Sequence, residues 1–113
     1  MEKLVFNRVV IDDIRTHRGG GEHLRNSRAA LAWLEENRNA RIEELWLDHD
    51  LGWGDTIRPV VLWLEEKCVN DEALDIGVIY VHTGSSVGAK WMMSSNVLND
   101  HYRLVRQFMA EDW

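Results

Sequence analysis

One cysteine and one proline occur in this chain of 113 residues, and positive charge is scarce. The lone Cys68 cannot form an intramolecular disulfide. It falls in a helical pattern and reads as a packed or partly exposed thiol, which fits a reducing, cytoplasmic setting. Lysine and arginine number 13 against 19 aspartates and glutamates, a net charge of −6. That balance excludes a general electrostatic pull toward nucleic acid or an anionic membrane. A long nucleic acid tract is disfavoured as a partner, because its binding rests on many phosphate contacts. Any phosphate ligand has to be met by a local basic cluster. No segment has the roughly 20 apolar residues that a transmembrane helix needs. The first residues do not read as a signal peptide, since Arg8 follows within two residues of the short stretch Leu4-Val5-Phe6. There is no internal repeat, no low-complexity segment and no readable protein partner.

What the chain does have is a core. Apolar residues make up 45% of it, which with the single proline argues for one folded domain over residues 1–113. Strand-like and helix-like patterns alternate, so the expected class is α/β with a mainly parallel sheet of about five strands. Strands are expected at 4–11, 42–47 and 76–82, with a short, weak one near 22–25. A loop after the first carries Arg15, Arg18 and Gly19-Gly20-Gly21. Ser27 is placed to cap a helix over 28–38, where Ala30, Leu31, Trp33 and Leu34 keep helical spacing. A second helix over 57–67 buries Val60, Val61, Trp63 and Leu64, and Pro59 is tolerated in its first turn. A third helix covers 86–98. The segment 102–108 reads as a last strand, with a helical alternative open.

Three strands end in ionisable residues. Leu45-Trp46-Leu47 runs into Asp48-His49-Asp50, Val9-Val10-Ile11 into Asp12-Asp13, and Val78-Ile79-Tyr80-Val81 into His82-Thr83. The carboxyl ends of strands are where open α/β sheets bind ligands. One such ending is unremarkable, whereas three together point to a shared polar site.

The order of these residues resembles the receiver domain of two-component signalling, and more closely its derivative, the cyclic-phosphate processing receiver-like domain. Asp12-Asp13-Ile14-Arg15, Leu47-Asp48-His49-Asp50-Leu51-Gly52 and His82-Thr83 with Gly88 and Met92 or Met93 carry the likeness. Arg25-Asn26 falls where that family tends to have an arginine followed by a hydroxyl residue. Its usual Asn-Pro after the histidine strand is Ser85-Ser86 here. The resemblance implies a flavodoxin-like, receiver-like three-layer fold and a role in processing cyclic phosphates. It also implies a metal-binding acid pair at Asp12 and Asp13, and Asp48 at the receiver's phosphoacceptor position. A phosphoacceptor reading is the least favoured, because the last strand offers Arg103 and Arg106 but no lysine.

Opening a cyclic phosphate, whether a 2′,3′-cyclic RNA end or a cyclic nucleotide, needs an activated water, a proton for the leaving oxygen and charge stabilisation on phosphate. His49 and His82 end neighbouring strands and are expected to face one phosphate and exchange protons. Asp48 or Asp50 would fix a histidine tautomer. Arg15 and Arg25 would grip phosphate through their forked donors, with Thr83 beside them. This reading requires no metal and is preferred, since the arginines can neutralise the acids. The alternative places Mg²⁺ or another divalent cation among Asp12, Asp13 and Asp48. Non-catalytic binding of a cyclic nucleotide is the rival function. Trp53 is a candidate to stack on a base, or else a loop anchor. Ser86 and Lys90 begin a helix that could receive an anion, and Lys90 reads equally as a solvated residue. His23 is a weak candidate near Arg25, while His17 and His101 read as surface residues.

Overall fold

The computed structural model describes residues 2–107. Strand β1 (Val5–Ile11) leads through a loop to β2 (Glu22–Leu24). Helix α1 (Ser27–Glu36), β3 (Arg41–Leu47), α2 (Arg58–Val69) and β4 (Asp75–Val81) follow. Helices α3 (Ser86–Met93) and α4 (Asn96–His101) then precede β5 (Leu104–Arg106). All pairings are parallel and the strand order is β2-β1-β3-β4-β5. This is the expected receiver-like α/β fold. Of the expected last strand, Phe108 lies outside the described residues.

Topology decides which face each connection takes. From β2 onward every crossover steps the same way across the sheet, and parallel crossovers are right-handed, so α1 to α4 share one face. The step from β1 to β2 runs the other way, and its loop, with no helix, crosses the opposite face, so the third helical layer expected of the fold is a loop here. Ala30 and Leu34 of α1, Val60, Val61, Leu64 and Cys68 of α2, Met92 and Leu98 close the core against Val9, Ile11, Leu45, Leu47, Ile79 and Val81. On the loop side Trp46 stacks on Tyr80 with ring centroids 4.2 Å apart, and His17 from the loop meets the Trp46 edge at 4.8 Å. No helix among the described residues is long and apolar enough to cross a membrane.

Two expectations about helices change. Asn26, not Ser27, caps α1, accepting from Ala29 N at 2.8 Å. Ser27 is the first helical residue, and its N and Oγ both donate to the Asp55 carboxylate, at 2.7 and 2.6 Å. The single helix expected over 86–98 is two, because Ser95 starts a new one. Its Oγ accepts from Leu98 N at 3.1 Å and donates to Glu65. Pro59 does sit in the first turn of α2.

Candidate active site

Ile11, Leu47 and Val81 lie side by side in register, so Asp12, Asp48 and His82 leave the sheet together. Asp48 N donates to Ile11 O at 3.0 Å and His82 N to Leu47 O at 2.9 Å, which extends the ladder one step beyond the strands. Asp12 then folds the loop back. Its Oδ1 accepts from the backbone N–H groups of Ile14 and Arg15 at 2.9 and 2.8 Å. Its Oδ2 is buried with no hydrogen-bond partner. A buried carboxylate oxygen left so is costly unless a cation or proton meets it.

Carboxylate oxygens of Asp12, Asp13 and Asp48 all lie within 4.8 Å of one another. Burial pushes the Asp48 pKa up to about 6; the charges of Asp12 and Asp13 add to this, while a hydrogen bond from Thr83 and the charge of Arg15 oppose it. These acids open onto a cleft of about 560 Å³, also lined by Ile14, Arg15, Asp50, Gly52, Thr83, Gly84 and Ser85. Three hard oxygen donors, one of them buried and unsatisfied, fit a divalent cation of the Mg²⁺ kind. Among the described residues, Arg15 alone brings positive charge to the cleft wall.

The family described as the cyclic-phosphate processing receiver domain has a sequence model that matches residues 7–96. The chain belongs to this family. No curated protein and no solved structure matches it.

In this member of the family the two strand-end histidines do not meet. Register is the reason: Leu47 pairs with Val81, so His82 stands opposite Asp48, and His49 is one residue further on. Side chains alternate along a strand, so that offset sends the rings to opposite faces. His82 turns to the loop side, 5.8 Å from the Trp46 ring, and is 1% exposed. Burial, then the charge of Arg15, lowers its pKa to about 4, so it is neutral near pH 7. His49 turns to the helix side. Its Nε2 accepts from Arg58 Nε at 3.1 Å, and its Nδ1 meets Asp50 Oδ1 at 2.8 Å. A side chain on Gly88 of α3 would run into the His49 ring. Neither histidine lines the acid cleft; Asp50, half of the His49 pair, does.

The remaining candidates divide in the same way. Thr83 lines the cleft and its Oγ1 accepts from Ser85 N at 3.1 Å. Arg25 sits behind the acid pair, its guanidinium donating to Asp13 O at 3.2 Å. His23 Nε2 donates to Asp12 O at 2.9 Å, so it braces the same loop. Ser86 and Lys90 line a separate, smaller cavity of about 250 Å³ with Arg106. Trp53 is fully exposed beside Gly52 of the cleft wall. His17 is half-buried against Trp46, and His101 is exposed.

Two positions carry weight that sequence reading missed. Arg58 holds His49 while its guanidinium lies 4.5 Å over the Trp91 ring. Nothing marks it in the sequence beyond its place before Pro59. Arg106 donates to Val81 O, Thr83 O and Gln107 O at 3.1, 3.0 and 2.8 Å, which ties the Thr83 turn to the last strand.

Proposed function

We propose that this domain hydrolyses a cyclic phosphate, either a 2′,3′-cyclic RNA end or a cyclic nucleotide, in the acid cleft. The observation that carries the reading is one cleft holding Arg15, the Thr83 turn and three clustered carboxylates with a buried, unsatisfied oxygen on Asp12. A protein meant only to hold the monoanion of a cyclic phosphate has no use for so many acids.

In this reading Arg15 binds the non-bridging phosphate oxygens through its fork of donors. Asp50, exposed at the cleft and oriented by His49, takes a proton from the attacking water as the water oxygen bonds to phosphorus. The ring P–O bond breaks and the leaving oxygen takes its proton from solvent, to which the cleft is open. Asp12, Asp13 and Asp48 would hold a divalent cation, which when bound supplies charge stabilisation for the phosphate. His49 becomes a positioning residue rather than a proton carrier. His82 supports the loop side of the sheet instead of facing the substrate.

Incubation with 2′,3′-cyclic nucleotides, 3′,5′-cyclic nucleotides and cyclic dinucleotides, with Mg²⁺ or with EDTA, tests this by chromatography. The expected result is conversion of one class to its ring-opened phosphate monoester, lost in EDTA and in Asp50→Asn. Conversion that survives EDTA would remove the cation from the scheme. Recovery of intact ligand from denatured protein, with no turnover, would replace hydrolysis by sequestration.

A further inference from the structure

The turn after the third strand holds three successive residues at positive φ: Gly52 at 77°, Trp53 at 52° and Gly54 at 77°. Glycine adopts this conformation freely, and at Gly52 a Cβ would also press on the movable Asp13 Oδ2, 2.9 Å away. Tryptophan adopts it only against steric resistance. The fold gains nothing in return, because the Trp53 ring is fully exposed. Backbone strain of this kind clusters at sites of function.

The turn is also fixed in place. Asp55 N donates to Gly52 O at 2.9 Å and Leu51 N to Asp55 O at 3.0 Å. The Asp55 carboxylate is in turn held by Ser27 at the start of α1, and Asp50 forms a bridge with Thr56. The backbone that carries the ring is therefore fixed one residue from Gly52, which shares the cleft wall with Asp13 and Arg15. A nucleotide carries the two groups that such a surface meets, a phosphate and a flat aromatic base joined by a sugar. A base offers a π-face whatever its identity, so stacking on tryptophan tolerates any of them. The net charge of −6 repels long polyanions and leaves a mononucleotide or a single RNA end as the matching form.

We propose that Trp53 is a stacking platform for the base of a nucleoside cyclic phosphate whose phosphate lies in the acid cleft, and so sets substrate class; this rests on the hydrolytic reading above. Variants Trp53→Phe and Trp53→Ala are compared with the unaltered protein on 2′,3′-cyclic AMP and on glycerol 1,2-cyclic phosphate, which has no base. Nucleotide binding is followed in parallel by quenching of tryptophan fluorescence. The alanine variant should lose on the order of tenfold in kcat/KM on the nucleotide, mostly through KM, and nothing on the glycerol ester, with phenylalanine close to the parent. The quench should vanish with Trp53. Equal rates in all three proteins, or an equal loss on both substrates, would overturn stacking while leaving hydrolysis standing. Quenching that depends on Trp53 without turnover of either compound would keep the platform and remove hydrolysis. If neither quenching nor turnover occurs with 2′,3′-cyclic AMP, 3′,5′-cyclic AMP or a cyclic dinucleotide, both fail, and a change of oligomeric state in Trp53→Ala would assign the ring to a protein interface.

Discussion

Arg58 Nε donates to His49 Nε2 at 3.1 Å, and that one bond fixes the state of the histidine. Arginine can only donate, so Nε2 must be the accepting nitrogen. The proton therefore sits on Nδ1 and is directed to Asp50 Oδ1 at 2.8 Å. Trp91, 4.5 Å beneath the guanidinium, holds the far end of the chain of contacts. The result is a row from α3 through α2 to a carboxylate in the cleft.

Arg58→Met should leave the fold intact and keep much of the contact with Trp91, yet release the His49 ring. Loss of an orienting partner typically costs about 10- to 100-fold. The expected change is a fall in kcat with KM nearly constant, read by steady-state kinetics on whichever cyclic phosphate is turned over. A change in KM alone would mean that Arg58 binds substrate directly.

Gly88→Ala places a methyl group into the Cβ and Cγ atoms of His49. Those atoms sit next to the backbone and cannot swing aside, so α3 must move. The expected loss is about 1–3 kcal/mol in urea denaturation, as for other overpacked sites. Pairing the change with His49→Ala should recover part of it.

Asp48 and His82 should show opposing pH dependences of stability. Asp48 has its pKa raised to about 6, so its folded form favours the proton and stability falls as pH rises from about 4 to 6. His82 has its pKa lowered to about 4, so its folded form favours neutrality and stability falls as pH drops from about 6.5 to 4. The two slopes largely cancel in the unaltered chain. Asp48→Asn should gain roughly 1–3 kcal/mol above pH 6 in the absence of divalent cations and lose it toward pH 4. His82→Gln should expose the opposite slope, with stability rising as pH falls to 4. Urea titrations at pH 4, 5.5 and 7.5 read all three proteins.

A divalent cation among Asp12, Asp13 and Asp48 should raise Tm in proportion to its occupancy. Magnesium chloride is expected to shift the melting curve upward relative to sodium chloride at the same ionic strength. The shift should shrink as pH falls through about 6, where Asp48 takes a proton in competition. Asp12→Asn should abolish it. An equal shift in that variant would locate the ion elsewhere.

The elements and the chemistry at their ends are legible in the sequence. Strand runs such as Val78-Ile79-Tyr80-Val81 and the helical stripe Val60, Val61, Leu64 are local patterns, and local periodicity is readable without coordinates. The acids at 12, 13 and 48 were visible because each follows an apolar strand. What those residues face depends on contacts between distant parts of the chain. Ser27 carried a good capping signal, but a partner 28 residues away, Asp55, claimed it and Asn26 became the cap. His49 and His82 look equivalent along the chain, yet a register that pairs Leu47 with Val81 leaves them one residue out of step. One residue of offset reverses the face of a strand. Register is set by the packing of the whole sheet, and the Arg58, Trp91 and Gly88 that enclose His49 come from two helices that only the fold brings together.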